Sequence, residues 1–541
     1  MQRNTPVPLS LSMRLAAALA ASLVTFTLSA RTPSERPGLV VGITIEGLSE
    51  DYIDLLCDYF GKEGFQRLTD SGVVVSDLEY GPGIDATAAT AMLVTGAPAS
   101  ISGVQSGSVF DTATLRSRPV LLDPSTIGNF TTETYSPEAL CVSTLSDELR
   151  VAGGGIGRSY AIAPEPQQAI LLAGHAGNAA FWINDVNGNW STTTFYKDVP
   201  GALSQRNFTN PLATRLDTLR WAPVMEPARY PGIPKYKKAY PFRHVFQRND
   251  PDRYRAFKAS ATANTEVTDL AIDFITTMAL GKEQETDMVS VAYTLAPYSW
   301  SKDPDSRLET LDAYLRLDSD LARLFRAIDT KGPGMARTLV WVAGVPAPPS
   351  GKRDDERFRI PYGQFSPRKA VSLLNMYLMA LHGNGEWVSG YHDNQIFLNG
   401  TLIKERNLDR SELRRETADF LTRMSGVAEA WTIDDITSRR AGAQSEAMLR
   451  NTALSTAGDV RLTIAPGWEI ADDAGSRNSL KQRPQVSRLA TQTYPAYILA
   501  PGLKPERILV PVDACVLAPS VSRLLRIRSP NGAASAPLRL D

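Results

Sequence analysis

The residues able to do chemistry in this 541-residue chain sit near the ends of three strand-like runs, and they are few. Leu39–Ile45 (LVVGITI), Met288–Thr294 and Thr338–Val342 each run into a loop. In an open α/β sheet the carboxyl ends of the strands form the ligand-binding edge. Carboxylates and imidazoles placed there would hold divalent metals and activate a hydroxyl or water. This chain supplies Glu46 after the first run, Ala296 and Trp300 after the second, and Gly344 and Val345 after the third. Among these, Glu46 alone can bind a cation or carry a proton. Glu46, Asp85, Asp303 and Asp305 together would make an oxygen-only site suited to Mg²⁺ or Ca²⁺, although isolated acids on loops are usually just solvated. The four histidines are His175, His244, His382 and His392. A backbone-bonded structural ring is expected for His175 and packing or surface roles for the other three.

The elements that would position these groups follow an α/β rhythm. LVVGITI is the continuous β-branched run that a sheet covered on both faces requires. Glu309–Asp329 reads as an amphipathic helix with Leu317, Leu321, Leu324, Phe325 and Ile328 on one stripe. Lys369–Leu381 and Leu408–Met424 read as further helices, the second capped by Asp409 or Ser411 and stopped by Gly426. Val460, Leu462 and Ile464 alternate as a strand. Strands interleaved with helices predict a doubly wound, mostly parallel sheet with helices on both faces. A segment of about 192–252, rich in Pro, Tyr, Arg and Asn, breaks the rhythm and is expected as a cap-like insertion. Residues 37–528 then form one domain, and 529–541 a loose Pro/Ala-rich tail.

Composition excludes some partners. A net charge of −1 gives no electrostatic reason to bind nucleic acid or an anionic membrane. Cys57, Cys141 and Cys515 form no C-x-x-C and are expected as buried small residues, with one bridge open to an exported chain. Residues 1–30 read as a cleaved export signal: Arg3 and Arg14, then the apolar Leu15–Leu28, then Ser29-Ala30. A linker of 31–36 follows, with no cysteine for lipid attachment. No later run is apolar and long enough to span a membrane. A periplasmic or secreted location is expected.

Seven segments, in order, make a more specific pattern: VVGITIEGLSEDY from Val40, LVTGAPASISGV from Leu93, ILLAGHAGNAAFWINDVNGNW from Ile170, LDAYLRLDSDLARLF from Leu311, TLVWVAG from Thr338, YHDNQIFLNG from Tyr391, and LAPGLKPERILVPVDACVLAPSVSRLL from Leu499. This series resembles the alkaline phosphatase superfamily, and in detail its phosphate-irrepressible, PafA-type bacterial members. The resemblance implies a nucleophilic Thr or Ser between two zinc ions held by about three Asp and three His. Carried over position by position, the first Asp falls on Glu46. The nucleophile falls on Ala86, with Thr87 one place away. The phosphate-binding Asn falls on Gly107, beside Ser108, and the Lys and Arg clamp on Glu165 and Gln167. The remaining Asp and His ligands fall on Ala296 and Trp300, on Gly344 and Val345, and on Thr493. No matched position keeps the family's chemistry.

Three functions compete. The expected one is an exported pseudophosphatase that binds or scaffolds without turnover, needing no cofactor and taking an unidentified protein or small molecule as partner. A structural role for the insertion and surface is close behind. The alternative is a metal-dependent phosphatase or phosphodiesterase with a divergent site centred on Thr87 and Glu46, in which case zinc is required.

Overall fold

A computed structural model of the chain describes residues 36–540 apart from 198, 302, 304, 349–362, 440–441, 466, 472–484 and 487–491. The export signal expected over residues 1–30 lies outside the described residues. In chain order the strands begin with β1 (Leu39–Glu46), β2 (Val73–Glu79), β3 (Ser108–Asp111), β4 (Arg116–Pro119), β5 (Gly128–Asn129), β6 (Ser159–Ile162), β7 (Ala179–Ile183) and β8 (Trp190–Thr193). They continue with β9 (Asp287–Thr294), β10 (Thr338–Val345), β11 (Val388–His392), β12 (Gln395–Leu398), β13 (Val427–Thr432), β14 (Val460–Ile464), β15 (Thr493–Leu499) and β16 (Glu506–Ile508).

The main sheet runs β16–β2–β15–β10–β1–β9–β6–β7–β8–β5. β1 lies at its centre, parallel to both β9 and β10, and every β1 residue except Glu46 is buried. That burial is why the run carries β-branched side chains at successive positions rather than alternating ones. The sheet is mixed and mostly parallel, with β15 antiparallel to both neighbours, β10 and β2. Helices α1 (Ala86–Thr95) and α2 (Pro166–Ala173) pack together over the sheet, and α3 (Ala261–Thr277) packs on β9 and on α4 (Arg307–Thr330). The apolar stripe expected on α4 is in place: Leu317, Leu321, Leu324, Phe325 and Ile328 are fully buried.

The region of the insertion folds as short helices and a two-strand ribbon of Arg220–Trp221 with His244–Val245. One buried carboxylate fastens it. Asp312 on α4 accepts from Trp221 Nε1 (2.7 Å), the Val224 N–H (2.6 Å) and Tyr230 OH (2.8 Å). A buried carboxylate with several donors is a strong anchor because each bond is charge-assisted.

The elements between Pro367 and Ile464 do not extend the main sheet. They form a second, antiparallel sheet of order β11–β12–β14–β13, with helices Pro367–His382 and Arg410–Leu421 and their own apolar core. Val460, Leu462 and Ile464 point into that core while Arg461 and Thr463 face away. Periodicity identifies such strands but not the sheet they join.

Two expectations are corrected. Cys57 and Cys141 are exposed rather than buried, Cys515 is buried, and all three thiols are free. The segment after Ser529 is docked rather than loose. Its Ala534 N–H bonds to Gly96 O (2.9 Å) and its Leu538 N–H to Ser520 Oγ (2.8 Å), with Leu538 and Leu540 against the main core. Composition marks it as loop, but the apolar Leu538 and Leu540 give it something to bury.

Candidate functional site

The carboxyl ends of β1, β9 and β10 lie side by side, with Glu46 opposite Thr294 on one flank and Val345 on the other. The turn after β1 depends on Gly47, whose φ of +77° is in the left-handed region. A Cβ there would stand 3.2 Å from the Ala296 nitrogen. Tyr314 of α4 secures the turn, donating to Gly47 O (3.1 Å) and accepting from the Ser49 N–H (2.8 Å). Asn264 of α3 grips both backbone groups of Thr294. Three of the site's atoms then form a relay: the Ala296 N–H donates to Thr294 Oγ1, which donates to Glu46 Oε2, each at 3.2 Å.

Asp85 caps α1, accepting from the Ala88 N–H through one oxygen and the Gly107 N–H through the other, each at 2.8 Å. Burial pushes Glu46 up to about 7, with the nearby charges of Glu165 and Asp85 adding to it against the Thr294 bond. Burial likewise takes Asp85 to about 6, despite the two N–H bonds. Two carboxylates near neutrality on one rim describe a cleft short of positive charge.

The expected site residues divide into those brought together and those built out. Glu46, Asp85, Thr87 and Gly107 converge. A Cβ on Gly107 would lie 3.0 Å from Thr87 Oγ1, so the Thr87 side chain stands where an Asn side chain at 107 would begin. Ala86 occupies the first turn of α1 and offers a methyl group and a carbonyl that accepts from Thr90. Gly344 is enclosed: a Cβ there would meet Tyr494 Cβ at 2.8 Å and Leu48 Cβ at 3.1 Å, while its carbonyl accepts from Tyr80 OH at 2.6 Å. Val345 is fully buried and Trp300 packs on the main core. Gln167 is half-buried on α2, and Thr493 is exposed at the start of β15. Asp303 and Asp305 are spent on cations, Lys237 at 2.8 Å and Arg307 at 2.7 Å.

The zinc that the fold family implies has no donor set here. Ala, Trp, Gly, Val and Thr at positions 296, 300, 344, 345 and 493 offer no nitrogen or carboxylate ligand, and a side chain at 344 would collide with its neighbours. Among the described residues no group of three His, Cys, Asp or Glu side chains could hold a metal ion. Each histidine is engaged elsewhere: His175 with Asp147 (3.2 Å) and Leu140 O (3.0 Å), His244 with Glu309 (3.2 Å), and His382 with Glu416 (2.6 Å). His392 lies 2.8 Å from Ser117 Oγ and 3.2 Å from Ser108 Oγ.

Three participants were not legible in the sequence. Glu165, standing where the family resemblance implies a lysine, is met by Lys258 at 2.9 Å, and Lys258 also contacts Asp185 at 2.5 Å. Burial alone would weaken the Lys258 ammonium, but these two acids hold its proton above the ordinary lysine range. Asp393, in the tight turn between β11 and β12, adds its field to Asp85, and Arg461 comes from β14. Lys258 and Arg461 lie in stretches that read as insertion border and strand; the one sequence signal is a charged residue in an alternating apolar strand. A cavity of about 450 Å³ lined by Ile53, Cys57, Phe65 and Val74 lies at the β2–β16 edge of the sheet and includes none of these residues.

No family model matches the chain. It is similar to alkaline phosphatase PhoV of Synechococcus elongatus, 24% identical over 92% of this chain and 91% of that protein. A calcium-transporting ATPase of Myroides odoratus is 24% identical over 95% and 96% of the two chains. The crystal structure of wild-type alkaline phosphatase PafA superposes with a TM-score of 0.80 at 22% identity, covering 93% of this chain and 98% of that one. The chain thus resembles PafA-type alkaline phosphatases end to end in sequence, and it shares the fold of PafA.

Proposed function

We propose that this protein is an exported, non-hydrolysing member of the superfamily that binds a small molecule or a protein partner at the inherited cleft. One observation carries the reading: at positions 296, 300, 344 and 345, where metal ligands belong, stand groups that cannot coordinate, Glu46 is the one strand-end carboxylate left, and a side chain at Gly344 would collide with Tyr494 and Leu48. Fold alone would favour phosphate-ester hydrolysis, but function belongs to the site. Without metals the cleft lacks the main electrostatic stabiliser of phosphoryl transfer. Export rests on the N-terminal segment; among the described residues no helix is long and apolar enough to cross a membrane.

The test pairs elemental mass spectrometry on the purified chain with phosphate mono- and diesters under added Zn²⁺, Mg²⁺ and Ca²⁺. The expected result is no stoichiometric zinc and no chelator-sensitive hydrolysis. About two zinc per chain with hydrolysis lost to a chelator would overturn the reading.

The divergent-enzyme reading has one observation in its favour, a Thr87 hydroxyl beside the Asp85–Gly107 contact with Glu46 near neutrality. Thr87→Ala separates the two. No change in any basal ester hydrolysis is expected, whereas a hundredfold or greater loss would restore Thr87 as nucleophile.

A further inference from the structure

Arg461 is the cation of this region that has no ion pair among the described residues. It sits on β14 between Gln395 of β12 and Trp431 of β13, on the face turned away from the small core. Its Nη1 donates to Thr452 Oγ1 at 3.0 Å, the sole hydrogen bond of its side chain among the described residues. Its Nη2 is 3.1 Å from where a Cβ on Gly83 would stand, which places the guanidinium beside the loop that leads into Asp85 and α1. Arg410 and Arg414, in the same subdomain, are both paired with Asp459. Among the described residues Asp393 is the acid that acts on Arg461, and it opposes a burial that pulls the guanidinium's proton affinity down.

A second group in the same wall is also unfilled. Asn451 is 2% exposed and donates through Nδ2 to Pro82 O at 3.1 Å, while its Oδ1, an acceptor without a partner among the described residues, would take a hydroxyl donor of a ligand rather than its oxyanion. A guanidinium carries five donors in a fixed fork, and leaving most of them idle while partly desolvated costs stability. The planar fork matches the oxygens of a carboxylate or phosphate, so its open edge is shaped to receive one.

We propose that Arg461 is an oxyanion receptor at the border of the cleft, taking the carboxylate or phosphate group of a ligand on the open edge of its guanidinium. This deepens the binding-protein reading by naming the ligand's chemical class, and it rests on that reading. The recognition comes from the second sheet, not from the sites at 165 and 167, where the charge clamp is gone.

The test uses the chelator-treated full chain, with inorganic phosphate and acetate in separate arms and chloride at matched ionic strength as reference. Calorimetry and thermal shift are read for the wild type, Arg461→Met and Arg461→Lys. Expected is saturable binding of at least one oxyanion, weakened tenfold or more in both variants, with Arg461→Met melting at or above the wild type. Phosphate and acetate arms separate a phosphorylated from a carboxylate ligand. The proposal is overturned if neither oxyanion exceeds chloride, if the variants bind like wild type, or if Arg461→Met melts well below it and so marks a structural strut. Zinc-dependent hydrolysis would sink the binding-protein reading while leaving the Arg461 result standing.

Discussion

Gly344→Asp is expected to lose on the order of 3–5 kcal/mol of stability, or fail to fold, without acquiring zinc. The substitution returns an acid to a position where the family resemblance implies a metal ligand, so naive repair would predict a gain. The local packing predicts the reverse. The new Cβ would stand 2.8 Å from Tyr494 Cβ and 3.1 Å from Leu48 Cβ, backbone-proximal atoms that cannot swing aside. Overpacking of this kind costs about 1–3 kcal/mol before charge is counted. The carboxylate would add an unpaired buried anion, with Val345 buried and Tyr80 already bonded to the Gly344 carbonyl. Chemical denaturation with metal analysis decides the matter. A variant as stable as wild type that takes up zinc would mean that the cleft is metal-ready and that one residue was missing.

Glu46→Gln is expected to stabilise the protein at pH 8 and to do nothing at pH 4. The sign follows from where the proton sits. Glu46 titrates near 7 in the fold against an ordinary value of 4.5, so between those values the folded state holds a proton the unfolded state has released. Stability from this group therefore falls as pH rises from 4.5 through 7, and the full cost is present above 7. At about 1.4 kcal/mol per tenfold, that gap sets a ceiling of roughly 3 kcal/mol. The partial exposure of Glu46 reduces it to about 1–2 kcal/mol. Denaturant midpoints for both proteins at pH 4 and pH 8 measure it. A Gln variant that is less stable at pH 8 would show that ionised Glu46 has a cationic partner in solution.

The architecture was readable because it is written in periodicity. The β1 run and the α4 stripe are long patterns that only one kind of burial satisfies. The destination of β14 was not readable, since an alternating strand is equally at home in either sheet. The site was legible as a set of substitutions at 46, 107, 296, 300, 344 and 345. What the sequence withheld was the local consequence of each. That Gly107 yields its space to Thr87 and that Lys258 answers Glu165 are facts of packing between residues far apart in the chain. Arg461 stayed hidden for the same reason: its importance comes from what is absent around it, and a one-dimensional pattern does not display missing neighbours.

The position of β15 governs when this molecule can become itself. The strand spans residues 493–499, yet it lies between β10 and β2, and β2 ends at residue 79. A chain emerging from its amino end can assemble β1, β9 and β10, but β2 has no place beside them until some four hundred further residues have followed it. The last residues then settle against Gly96, at the far end of the helix that begins at Ala86. Such long sequence separations slow folding. The sheet is therefore closed from its C-terminal side, and the cleft beside β1 and β10 takes its final shape only once residues 493–499 are in place.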